Sequence, residues 1–158
     1  MSAVPETTPA ARGVADLRAG FREGKEALLG HFRAARATAP AAQHLLRALT
    51  RHVDRTLVDL WEHAFMPAGA ALLAVGGYGR GELFPHSDVD VLVLLPGGNA
   101  LGNEALRAAV EGFITACWDI GLEIGSSVRS IDECLGSFSK SQSSAAFWIF
   151  GSGESTSR

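Results

Sequence analysis

Cysteine is scarce in this sequence: Cys117 and Cys134 are the only two in 158 residues, and neither lies in a CxxC pair. That excludes a disulfide framework or a thiolate zinc site, and both read as reduced thiols. A basic excess is missing as well. Fourteen Lys and Arg stand against seventeen Asp and Glu, giving a net charge of −3. This excludes a surface built to hold nucleic acid by neutralising phosphates. No apolar run reaches the length of about eighteen residues that a membrane span requires. The opening MSAVPETTPAARG has no basic stretch followed by an apolar one, so no secretory signal is expected. What remains is a composition with 47% apolar and 20% charged residues, that of a globular domain. A single soluble cytoplasmic domain is the expectation.

Residues 1–13 carry Pro5, Pro9 and little apolar content and read as a flexible tail. A helical lead-in over 14–66 follows. Val14, Leu17, Phe21, Leu28, Phe32 and Ala35 recur at helical spacing, although Gly20, Gly24 and Gly30 weaken the pattern. Pro40 opens a second helix, with Leu45, Leu49, Val53, Leu57, Leu60 and Trp61 on its apolar stripe. Phe65 and Trp118 fall on apolar stripes too and are expected in the core. His31, His44, His52 and His63 follow no ligand spacing and read as helix-surface residues.

The core is expected over 70–135. Ala70 to Val75 is an apolar run suited to a strand buried on both faces, and DVDVLVLLP is a second strand stopped by Pro96-Gly97-Gly98. A helix from Asn103 to about Trp118 and a strand over Gly121 to Arg129 come next. Ser130-Ile-Asp-Glu133 fits a capping box that opens a last helix. The order predicts an α/β (α+β) domain on a small sheet. Residues 136–158 pack serines around FWIF and read as an atypical tail with no element of their own.

Two features carry chemistry. Gly76-Gly77-Tyr78-Gly79-Arg80-Gly81-Glu82 follows the first strand directly, and glycines there let backbone amides approach a phosphate. No Gly-Lys-Ser/Thr follows, so it is not a Walker loop. Ser87-Asp88-Val89-Asp90 opens the second strand. Alternation puts Asp88 and Asp90 on one face, about 7 Å apart along the chain. Two neighbouring carboxylates repel and need a counter-charge, which Mg2+ supplies together with phosphate oxygens. Taken alone, each feature also fits an ordinary turn. Together they place a phosphate cradle and a metal site at adjacent strand ends.

The run GGYGRGELFPHSDVDVLVL resembles the signature of the DNA polymerase β-like nucleotidyltransferase superfamily, and within it the protein-PII uridylyltransferase family. The later WDIGLEIGSSVRSIDEC is similar to that family as well, and the likeness covers about 14–135. It implies a small mixed sheet flanked by helices, preceded by two N-terminal helices. It also implies Mg2+-dependent transfer of UMP from UTP to a tyrosine of a PII signalling protein, with pyrophosphate released. Under that likeness Asp88 and Asp90 hold the metal and Gly76 and Gly77 lie against the triphosphate. Arg80 and Ser87 are nucleotide-binding candidates, each with a structural alternative: a pair with Glu82 for Arg80, a turn cap for Ser87. Glu123 is the candidate third catalytic carboxylate and Asp119 the runner-up, with a surface salt bridge the alternative for either. Tyr78 is expected to pack.

Two departures from the family are visible. Ser126 stands where a histidine is common, and no hydrolase or ligand-sensing domain follows, so the chain reads as a truncated form. Two rival functions remain: a stand-alone nucleotidyltransferase with another acceptor, and an inactive nucleotide-binding fragment.

Overall fold

The computed structural model describes residues 13–97, 103–138 and 148–151, with no side-chain description for 136–138 and 148–151. The expectations for the two tails lie outside the described residues at 1–12, 139–147 and 152–158.

Two long helices come first. Helix α1 spans Val14–Ala34 and α2 spans Ala39–His63. Thr38 caps α2, its Oγ1 accepting from the Ala41 amide at 3.3 Å, with Pro40 in the first turn. The glycines of α1 have different reasons for being there. A Cβ on Gly24 would lie 2.2 Å from the His52 ring, whereas Gly20 and Gly30 face open space. His52 is therefore no surface residue. It is half-buried, stacked on Phe21 at 5.5 Å, with Nε2 2.9 Å from the Phe21 carbonyl oxygen.

Strand β1 (Ala71–Ala74) leads into a single helical turn, α3 (Gly76–Gly79), and then into β2 (Val89–Leu95). Helix α4 (Glu104–Asp119) crosses over to β3 (Ile124–Ser130), which pairs parallel with β2. Strand β1 pairs antiparallel with β2. Helix α5 (Ile131–Phe138) opens through the expected capping box. Ser130 Oγ accepts from the Glu133 amide at 3.2 Å, and the Ser130 amide donates to Glu133 Oε2 at 2.8 Å.

Strand β4 (Trp148–Gly151) pairs antiparallel with β1, giving the order β3-β2-β1-β4. The local sequence predicts no element of its own over 136–158. A strand partner far away in the chain leaves no local periodic signal, which is why this pairing escapes notice.

The mixed sheet carries the core on one face. Val89, Val91, Val93 and Leu95 alternate inward at 2% exposure or less and meet Leu57, Leu60, Phe113 and Cys117. Trp61 packs edge-on against Phe113 at 5.3 Å. Phe65 and Trp118 do not join them, at 84% and 62% exposure. Phe65 follows the end of α2 in a left-handed turn (φ 51°), so it leaves the stripe. Trp118 lies one position beyond the buried Cys117, about 100° further round α4.

Candidate functional site

The opposite face of the sheet holds the candidate chemistry, because the pleat that sends Val89 and Val91 inward sends Asp90 outward. The ladder then fixes its neighbours. The Val75 amide donates to the Asp90 carbonyl at 3.0 Å, which sets the glycine turn beside Asp90. Across the other edge Asp90 is in register with Gly125. Its carboxylate is fenced by two glycines: a Cβ on Gly76 would lie 2.8 Å from Oδ2, and one on Gly125 would lie 2.6 Å from Oδ1. Gly76 has φ +61°, the left-handed region in which glycine carries no Cβ penalty. Both glycines are thus required by the aspartate. Gly125 was not singled out in the sequence, although a glycine inside a strand marks close backbone approach.

Asp88 lies two residues before it, just ahead of β2, and is exposed like Asp90. Neither carboxylate has a hydrogen bond or ion pair with protein among the described residues. Glu123 also alternates as expected, exposed between buried Leu122 and half-buried Ile124. Its carbonyl accepts from the Val89 amide at 2.9 Å, just ahead of the first β2–β3 pair, Val89 with Ile124. Even so, no three His, Cys, Asp or Glu side chains gather into a metal cluster among the described residues. Two carboxylates without a protein partner could hold a Mg2+ together with phosphate oxygens. Asp119 ends α4 and is exposed, and Ser126 is in register with Val91 on the face away from Asp90.

The glycine turn is pinned from below by a contact that sequence reasoning missed. Tyr78 is 3% exposed and its hydroxyl donates to Asp54 Oδ1 at 2.6 Å. Burial raises the Asp54 carboxyl above its ordinary range, against the opposing pull of the Tyr78 hydrogen bond and of Arg51 and Arg55. Burial first, and the Asp54 charge second, raise the Tyr78 phenol strongly. A buried tyrosine needs a partner for its hydroxyl, and that need was the available signal.

Both structural alternatives hold for the two polar candidates. Arg80 Nε donates to Glu82 Oε2 at 3.1 Å, and Ser87 Oγ donates to the Phe84 carbonyl at 3.1 Å. Arg80 also lines a cavity that none of Gly76, Ser87, Asp88 and Asp90 lines.

Comparison with known proteins follows the same geometry. Residues 54–123 match the model of the nucleotidyltransferase domain, a stretch running from the Tyr78 anchor to Glu123. The chain is 49% identical over 118 residues to the bifunctional uridylyltransferase/uridylyl-removing enzymes of Burkholderia mallei (strain SAVP1) and Burkholderia pseudomallei (strain 668). That alignment covers 75% of this chain and 13% of each relative. Against the enzyme of that name from Ralstonia nicotianae it is 57% identical over 91 residues, 58% of this chain and 10% of the relative. No solved structure matches. No helix among the described residues is long and apolar enough to cross a membrane.

Proposed function

We infer that this chain binds a nucleoside triphosphate and directs transfer of its nucleotidyl group, in line with the match of residues 54–123 to the nucleotidyltransferase domain. The donor in this reading is UTP and the acceptor a tyrosine of a PII-type signalling protein, in line with the uridylyltransferase names of the relatives. The observation that carries it is Asp90 held between Gly76 and Gly125, with the exposed Asp88 two residues before it.

Each residue has a physical task. The first N–H groups of the α3 turn have no acceptor within the turn, so those of Gly76 and Gly77 are free to meet phosphate oxygens. Asp88 and Asp90 would hold Mg2+, which when bound offsets triphosphate charge and acidifies the attacking hydroxyl. Glu123, whose carbonyl is bonded to the Val89 amide, adds negative charge at the same end of the sheet. Ser87 holds the loop that delivers Asp88 through its bond to Phe84. The acceptor oxygen forms a bond to the α-phosphorus as the α–β bridging bond breaks and pyrophosphate departs. Fixed charge and positioning supply the rate, and no covalent enzyme intermediate is needed.

The chain spans 13% of the length of the Burkholderia relatives, so acceptor modification is tested in a full-length framework. Residues 54–123 are exchanged into the Burkholderia mallei enzyme, and label from α-labelled UTP is followed onto PII with Mg2+. Transfer is expected, with UTP preferred over ATP, CTP and GTP. Asp90→Asn should lower it by at least about 100-fold. A folded chimera without transfer, or one indifferent to Asp90→Asn, overturns the reading.

A further inference from the structure

On the other side of the Tyr78 anchor, α2 and the end of the glycine turn enclose a cavity of about 340 Å³. Its charge is unusual for a chain with net charge −3. Arg47 and Arg51 stand four residues apart on α2, so they project from one helix face about 6 Å apart along the axis. Arg80 reaches the same cavity from the turn. One acid lines it: Asp54, whose Oδ1 already accepts the Tyr78 hydroxyl. Thr50, between the two α2 arginines, spends its hydroxyl proton on the Leu46 carbonyl at 2.9 Å.

Like charges at this spacing on a helix destabilise it. Arg47 forms no ion pair among the described residues, and Arg80 is shared with the more than half-exposed Glu82. Arg51 offsets the Asp54 charge and Arg80 pairs with Glu82, but fold stability gives no reason for Arg47 to converge on them. An anion does. Guanidinium forks bind tetrahedral oxyanions in two-point fashion, and two such groups on successive turns clamp one phosphate. The volume is at the small end of ligand pockets, and the Tyr78 ring and Ala74 line it beside the charges.

We propose that the Arg47–Arg51–Arg80 cavity is a second, metal-independent site that binds the dianionic phosphate group of a small phosphate monoester. The site is separate from Asp88 and Asp90 and does not depend on the nucleotidyl-transfer reading.

The test is titration of the whole chain with inorganic phosphate in EDTA at constant ionic strength, by calorimetry and by arginine Nε–Hε NMR signals. Saturable binding is expected, with the Arg47, Arg51 and Arg80 signals moving together. Arg47→Gln/Arg51→Gln should weaken it at least tenfold, and Glu82→Gln should tighten it by releasing Arg80. Both α2 arginines are exposed, so the double variant keeps the fold. Asp90→Asn should bind phosphate unchanged whether or not the chain binds Mg·UTP, which separates this site from the proposed catalytic one. Binding equal in the double variant, shifts reproduced by chloride, or no saturable binding overturns the proposal.

Discussion

At Gly76 and Gly125 a methyl group would meet the two oxygens of a single carboxylate, so each position tests how tightly Asp90 must be held. Gly125 is the cleaner probe, since it lies in a strand and has no left-handed φ. Gly125→Ala should force Asp90 to rotate, at a folding cost of about 1–3 kcal/mol, the range for overpacking. Mg·UTP affinity should fall at least tenfold, read by calorimetry; unchanged affinity would mean that Asp90 does not need its present rotamer. Tyr78 offers a second test through pH. Its folded pKa lies above the unfolded value of 10.0, and burial pushes the Cys117 thiol from 9.0 up to about 12. A raised folded pKa contributes stability that is complete below the unfolded value and is lost as pH rises toward the folded one. Unfolding free energies from urea titration should therefore decline above about pH 9, by up to about 1.4 kcal/mol per pH unit for each group. Tyr78→Phe should flatten the part above pH 10 and cost about 1–3 kcal/mol at neutral pH, because Asp54 loses its donor.

At the scale of elements, α1 shows why one residue type has opposite meanings in one helix. Gly24 admits the His52 ring, whereas Gly20 and Gly30 face nothing within 4 Å. Gly20→Ala and Gly30→Ala should each stabilise the chain by about 0.5–1 kcal/mol, while Gly24→Ala should destabilise it by wedging α1 from α2. Urea denaturation of the three variants checks the signs, and a gain at Gly24 would contradict the packing described. Local signals placed most elements well. The Ser130–Glu133 box, the Pro40 start and the alternation of β2 are written within a few residues of where they act. Phe65, Trp118 and His52 were misplaced because helical spacing cannot say where a helix stops or which neighbour covers it. Strand β4 and the Asp54–Tyr78 bond depend on partners far along the chain, which no window of local sequence contains.

For the whole molecule, the sheet divides the labour between its faces. Valine and leucine of β2 bind helices on one side, and the intervening aspartate is presented on the other. Of the candidate site, the glycine turn and the Asp88–Asp90 pair were legible as a motif. The register that brings Gly125 against Asp90 was not, because it is set by the parallel pairing of β3. The proposed function turns on a divalent cation that lets Asp88 and Asp90 bind a triphosphate. Calorimetric titration of the chain with UTP, with and without Mg2+, in native and Asp90→Asn forms tests it most directly. Binding that requires Mg2+ and disappears in Asp90→Asn, with the melting temperature kept or raised as carboxylate repulsion is relieved, is the predicted result. Normal Mg·UTP binding by a folded Asp90→Asn chain would contradict it.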